Sequence, residues 1–147
     1  LVTVYQLATL FTVVANPYAA NLLEWLHSGI LIAGDSWEHD DDQVQAILDV
    51  NLRGPIGGSA AAVNAMGARG GAILNVASLA GLVPASAGHT LYGASKALMI
   101  RFSECLALEL RPHGVHVTAL CPGFTRSGFV DAAGAEGAGP RPGCSGM

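Results

Sequence analysis

The stretch that decides the fold is GGAILNVAS, residues 70–78. Its two leading glycines punctuate the chain, and the residues from Ala72 to Ala77 form a short, bounded apolar run. Runs of this length and composition are typical of strands buried in a parallel sheet. The sequence therefore predicts a strand over 72–77, which ends at Ser78.

The segments on the C-terminal side alternate in type. A helical pattern runs from about Leu91 to Leu110, and a second strand-like run follows over 115–120. Proline and glycine residues end both segments, as expected where a helix or strand stops. Apolar residues repeat along one side of the predicted helix at Leu98, Phe102, Leu106 and Leu110.

A further helix is expected on the N-terminal side, where Asp40 to Asp42 provide capping and favourable dipole charge. Helix, strand, helix and strand in this order are typical of an α/β fold with right-handed crossovers. Ligands bind beyond the carboxyl ends of the strands in such sheets, where Ser78 and the Pro122-Gly123 turn both fall. The residues at helical spacing are Val44, Ile47, Leu48 and Asn51.

Composition narrows the class of protein. The 147 residues suit one domain, and 51% hydrophobic against 12% charged residues argues against global disorder. A net charge of -4, with seven Lys and Arg residues, gives nucleic acid no basic surface to bind. Three cysteines without a C-x-x-C pair indicate reduced thiols, and the uncharged residues 1–23 are too interrupted by polar side chains for a membrane span. We expect a soluble cytoplasmic protein.

The chain divides into three zones by composition. Residues 1–34 form an atypical apolar segment, residues 35–128 carry the alternating α/β pattern, and residues 129–147 are rich in Gly, Ala and Pro. The last composition is typical of disorder.

The clearest candidates for chemistry are Tyr92 and Lys96, four residues apart on the predicted helix. At this spacing both side chains lie on one helix face and can meet. A nearby cation can lower the pKa of a tyrosine, so we expect Lys96 to make Tyr92 a general acid or base near neutral pH. The alternative is an ordinary contact on a helix surface.

Asn51, Ser78, Tyr92 and Lys96, in this order, resemble the catalytic tetrad of the short-chain dehydrogenase/reductase family. The resemblance spans roughly residues 29–129, and several ordered motifs are more specific than any one of them. The matching stretches are Asn75-Val76-Ala77-Ser78-Leu79-Ala80-Gly81, Tyr92 to Lys96, and Cys121-Pro122-Gly123-Phe124-Thr125.

The resemblance implies an oxidoreductase that moves a hydride between NAD or NADP and a small carbonyl or alcohol substrate. Tyr92 would be the acid/base, Ser78 would hold the substrate oxygen, and Asn51 would support a water in a proton relay. Lys96 would lower the pKa of Tyr92 and bind the nicotinamide ribose. The residues implied to border the nicotinamide are Pro122, Gly123, Thr125 and Ser127.

The resemblance also implies a fold: a partial, Rossmann-type, doubly wound parallel sheet with flanking helices, lacking the usual first strands. The sequence contains no T-G-x-x-x-G-x-G motif for the cofactor pyrophosphate, so the choice between NAD and NADP cannot be predicted. Two copies could pair through the two long helices. The alternative function is a non-catalytic α/β module that associates with a partner and binds no cofactor.

Two further local features are Pro55 and the histidines. Pro55 has no N–H to donate to the carbonyl of Asn51, so we hypothesise that this carbonyl accepts a hydrogen bond from a relay water. The alternative is a plain kink. His113 and His116, and His39 beside the aspartate run, lack the pattern of a metal site, and no metal is predicted.

Overall fold

The structure, a computed structural model, describes residues 12–15, 22–26, 29–84 and 87–123. Its strands are β1 (Thr12–Ala15), β2 (Leu22–Leu26), β3 (Gly71–Val76) and β4 (Val115–Leu120). Its α-helices are α1 (Asp41–Leu48), α2 (Gly54–Met66) and α3 (Thr90–Leu110), with a π-helical turn over Asp49–Arg53 and 3-10 turns at Gly67–Arg69, Leu79–Gly81 and Arg111–His113.

The four strands form one sheet in the order β1-β2-β3-β4. β2, β3 and β4 run parallel, and β1 pairs antiparallel with β2. The predicted α/β fold, a partial parallel sheet with flanking helices, is confirmed. β1 and β2 lie in the segment 1–34, for which the sequence pattern predicted no strand.

The first helical segment begins at a capping box. The Asp40 side chain accepts a hydrogen bond from the Gln43 backbone N–H, and the Gln43 side chain accepts one from the Asp40 N–H. The predicted helix through Asn51 continues into the wider π-helical turn, where the Gly54 N–H reaches back five residues to the Asp49 carbonyl. α2 then starts with Pro55 in its first turn, where a missing N–H costs least.

α2 and α3 pack against one face of the sheet, and α1 packs against α3. Alternate residues of β3 point into this layer, so Gly71, Ile73 and Asn75 are buried. Residues of β4 that point the other way, namely His116, Thr118 and Leu120, are exposed. One core cluster joins α2, β3, α3 and β4 through Ala62, Met66, Ile73, Leu110 and Val115.

β3 and β4 begin where the backbone of Gly70 approaches that of Gly114. Both glycines have positive φ, 67° and 70°, and the Gly71 N–H donates to the Gly114 carbonyl at 3.1 Å. A Cβ on Gly70 would press against that same carbonyl oxygen. Glycine is therefore required at this position for both its dihedral freedom and its lack of volume.

Candidate active site

The candidate site lies where β3 ends and α3 begins. Ser78 follows β3, and its hydroxyl accepts a hydrogen bond of 3.2 Å from the Ala80 N–H, which caps the 3-10 turn Leu79–Gly81. Tyr92 and Lys96 lie one turn apart in the first half of α3. A side-chain hydrogen bond joins Ser78 to the Tyr92 phenol, so the structure brings the three predicted groups together.

Lys96 is buried at the centre of this group, with its side chain against the ring of Tyr92. Its Nζ lies 5.7 Å from the ring centroid and donates a hydrogen bond of 3.3 Å to the Val76 carbonyl. Only 3% of the residue is exposed. Burial disfavours the charged ammonium and lowers the pKa of Lys96 to about 8.

The pKa of Tyr92 is shifted in the direction opposite to the prediction. Burial raises the pKa of the phenol, and the hydroxyl of Ser78, by stabilising the phenolate, only partly offsets that effect. The prediction that Lys96 brings the pKa of Tyr92 down is wrong for this structure.

Asn51 lies in the π-helical turn and is fully buried. Its Oδ1 accepts a hydrogen bond of 2.7 Å from the Ile30 N–H, and its Nδ2 donates to the Ile30 carbonyl at 3.0 Å and to Ser95 Oγ at 2.9 Å. Both amide donors are therefore used by the protein. The side chain ties the segment after β2 to α3, and the predicted role of the Asn51 carbonyl in a water relay stays a prediction.

Ser95 and the backbone at Gly29 and Ile30 also take part in the site, and the sequence pattern predicted no role for them. Ser95 is buried, donates to the Tyr92 carbonyl at 2.7 Å and accepts from Asn51. A Cβ on Gly29 would lie 3.0 Å from Lys96 Nζ, so the missing side chain leaves room for the amine. The signal for Ser95 was its place between Tyr92 and Lys96, whereas the approach of Gly29 depends on the folded sheet.

The Pro122-Gly123 turn borders the site from the end of β4. The Pro122 carbonyl accepts a hydrogen bond of 2.9 Å from the Leu79 N–H, which joins this turn to the segment that contains Ser78. Thr125 and Ser127, the other residues predicted to border the nicotinamide, lie outside the described residues. Their placement stays a prediction.

A groove of about 380 Å³ opens between the first part of α3 and the chain after β3. Gly81 sets its width, because a Cβ there would lie 2.7 Å from backbone atoms of Lys96 and Ala97. The other lining residues include Leu82, Val83 and Pro84 on the loop side and Gly93 and Ala94 on α3.

Metal-binding clusters and membrane-spanning helices were also sought in the part of the chain that the structure describes. Among the described residues, no group of three or more His, Cys, Asp or Glu side chains could hold a metal ion. Within that same part of the chain, no helix has the length and apolar character needed to cross a membrane.

Comparison with known proteins gives a family match. The family model described as short chain dehydrogenase matches residues 26–137. Galactitol 2-dehydrogenase of Agrobacterium fabrum is 40% identical over 108 residues, which cover 70% of this chain and 42% of that protein. The short-chain reductase protein NovJ of Streptomyces niveus is 40% identical over 92 residues, 62% of this chain and 34% of that protein. The chain thus spans well under half the length of these relatives.

Solved structures of dehydrogenases also match this chain. 4-Hydroxyisoleucine dehydrogenase complexed with NADH matches with a TM-score of 0.66 and 27% identity, over 71% of this chain and 46% of that one. ElxO with NADP bound matches with a TM-score of 0.64 over 69% of this chain and 42% of that one, and at 24% identity it supports the fold alone.

Proposed function

This chain belongs to the short-chain dehydrogenase family, and on that premise we propose that it carries the acid/base centre of an NAD(P)-dependent oxidoreductase. The reaction would interconvert a small-molecule carbonyl and its alcohol, with Tyr92 as the acid/base. The observation that supports this most is the convergence of Tyr92, Ser78 and Lys96 at the ends of the parallel strands.

Tyr92 and Ser78 would act together on the substrate oxygen. With its pKa raised by burial, Tyr92 is protonated at neutral pH and suited to donate a proton to a carbonyl oxygen as that oxygen gains negative charge. Ser78 presents its hydroxyl beside the phenol and would orient the same oxygen. In the opposite direction, Tyr92 would take the proton from the alcohol.

Lys96 would supply positive charge behind the phenol and a hydrogen bond to the nicotinamide ribose. Because the pKa of Lys96 is about 8, its charge is present at neutral pH and lost in mildly alkaline solution. Asn51 would hold the segment that begins at Gly29 against Ser95, and its carbonyl would support a relay water.

The residues at this edge of the sheet fit the nicotinamide half of the cofactor. Gly29 has no side chain and so lets the Lys96 amine lie against its backbone, and Pro122 and Gly123 border the same edge of the sheet. Tyr92, Lys96, Pro122 and Gly123, with Thr125 and Ser127, would therefore hold the nicotinamide end. When bound, the cofactor supplies or accepts the hydride. NAD and NADP stay undistinguished.

Binding and turnover test this proposal. We expect calorimetry to show binding of NADH or NADPH, and turnover on a panel of ketones and secondary alcohols. Tyr92→Phe removes only the phenolic hydroxyl and should lower kcat by roughly 10²–10⁴-fold with the fold unchanged. Tyr18→Phe, the same chemical change elsewhere in the sequence, is the matched control.

Two outcomes would contradict the proposal. An active Tyr92→Phe variant would exclude the assigned mechanism. A folded chain that binds neither cofactor would favour the alternative function, a non-catalytic module that docks on a partner.

We further propose that two copies associate through the long helices. An apolar groove runs between α1 and α3, lined by Val44, Ile47, Leu48, Leu52, Leu91 and Leu98 among others. Burial of such a surface favours association. Sedimentation at several concentrations tests this, and a monomer at all of them would contradict it.

A further inference from the structure

A buried polar bridge joins β3 to α3 away from the groups proposed for catalysis. Asn75 Nδ2 donates a hydrogen bond of 2.9 Å to Ser103 Oγ, and Ser103 donates at 2.8 Å to the Met99 carbonyl one turn earlier on α3. Asn75 is 0% and Ser103 1% exposed. The proposed function assigns no role to either side chain.

Stability does not account for this bridge. Asn75 Oδ1 is buried and has no hydrogen-bond partner among the described residues, so its lost hydration is not replaced. An apolar pair of similar volume at Asn75 and Ser103 would avoid that loss. A polar pair that costs stability is better explained by the geometry it imposes, since a hydrogen bond is directional and apolar contact is not.

The bridge and the candidate site lie on the same strand and the same helix. Asn75 directly precedes Val76, whose carbonyl accepts the Lys96 hydrogen bond, and lies three residues before Ser78. Ser103 lies seven residues after Lys96, which is two turns along the same face of α3. Both hydrogen bonds therefore connect the same strand to the same helix, and a shift of α3 along β3 would break them together.

We propose that Asn75 and Ser103 are positioning residues: their hydrogen bond fixes where α3 lies along β3, which keeps the Lys96 amine on the Val76 carbonyl and Tyr92 beside Ser78. This inference rests on the proposed function, in which Tyr92 and Lys96 are the working groups. It concerns their placement and can be tested without cofactor.

The test uses the double variant Asn75→Leu with Ser103→Ala, which removes both partners and leaves no new orphan group. Lys96 is the only lysine in the sequence, so selective ¹³Cε labelling gives a single titrating NMR signal. The urea midpoint should be unchanged or higher. The pKa of Lys96 should rise from about 8 toward 10.5 by roughly one unit or more, because an amine released from its place regains hydration.

Ser103→Thr keeps the hydroxyl and should titrate like the parent chain. Ser59→Ala removes another buried hydroxyl, one without a partner among the described residues, and should also leave the Lys96 titration unchanged. If the double variant does not fold, Ser103→Ala alone should show the same displacement of the pKa.

A folded variant with the parent's Lys96 titration would overturn the proposal and leave the bridge a packing feature. Failure of the proposed function would be seen separately, as absent cofactor binding in the parent chain. The two results are independent because the NMR titration needs neither cofactor nor turnover.

Discussion

The two ends of the β3–α3 pair are held in different ways. At the end where β3 begins, which we term the glycine end, Gly70 meets Gly114 beside the apolar cluster of Met66, Ile73, Leu110 and Val115. At the end where β3 finishes, which we term the site end, an apolar cluster of Ile30, Ile32 and Ile47 is joined by buried hydrogen bonds of Lys96, Ser95, Asn51 and Asn75.

This difference separates the end of the β3–α3 pair that stabilises the fold from the end that carries the proposed chemistry. Apolar burial at the glycine end stabilises the fold without any charge. The site end buries the ammonium of Lys96, and the loss of hydration lowers its pKa to about 8. Substitutions at the glycine end should therefore affect folding, whereas those at the site end should affect ionisation and turnover.

The largest expected effect is that of Gly70→Ala. The new Cβ would press on the Gly114 carbonyl oxygen, and the positive φ of 67° adds backbone strain. We expect the free energy of unfolding to fall by about 4 kcal/mol or more, measured by urea denaturation.

Gly67→Ala is the matched control, because it also has positive φ, 55°, but its Cβ would enter open space. It should cost only about 2 kcal/mol. Equal losses in the two variants would show that the contact between Gly70 and Gly114 contributes nothing.

The second-largest expected effect is the pH dependence of the free energy of unfolding, which Lys96 causes. Below pH 8 both the folded and the unfolded chain hold the Lys96 proton, and the folded chain carries the cost of burying it. Between pH 8 and 10.5 the folded chain releases the proton first, so the free energy of unfolding should rise with pH, by about 3 kcal/mol at most.

Ionisation of Tyr92 changes the free energy of unfolding in the opposite direction above pH 10. Its raised pKa lets the unfolded chain ionise first, which lowers stability there, so the effect of Lys96 is best measured from pH 8 to 10. Lys96→Met should be more stable than the parent at pH 7 and should lose the rise above pH 8. Urea denaturation at four pH values tests this, and parallel curves for the two chains would contradict it.

The smallest expected effect is that of Gly81→Ala at the site end. Its Cβ would lie 2.7 Å from backbone atoms of Lys96 and Ala97, so the 3-10 turn must move away from α3. We expect a loss of roughly 2 kcal/mol together with a changed Lys96 titration by NMR. Gly57→Ala on α2, where nothing lies within 4 Å, should instead stabilise by about 0.5–1 kcal/mol. An unchanged titration in Gly81→Ala would show that the turn does not control the site.

Local pattern was enough to predict β3, α3 and β4. β4 matches residues 115–120, α3 begins one residue earlier than predicted, and β3 is displaced by one residue. Glycine and proline mark these boundaries, and their effect is local. β1 and β2 were missed because strands are stabilised by pairing with distant residues, and the apolar segment 1–34 has no clear boundaries of its own.

The candidate site was predicted in part. The spacing of Tyr92 and Lys96 fixes a shared helix face, and that placement is local. The pKa of Tyr92 was predicted in the wrong direction because charge can be counted from sequence, whereas hydration depends on how deeply the folded chain covers a group. The hydrogen bonds of Asn51 to Ile30 and Ser95 join residues far apart in sequence and could not be predicted.

The π-helical turn at Asp49–Arg53 has a consequence for how the length of this chain can vary. A π turn accommodates one more residue than the corresponding α-helical turn. Deleting one residue there would therefore restore a regular helical turn and leave Val44 and Ile47 facing the same way relative to α2. A single-residue deletion that spares Asn51 should therefore be tolerated in this turn, whereas the same deletion within α2 would rotate the residues on its two sides by roughly 100° relative to each other.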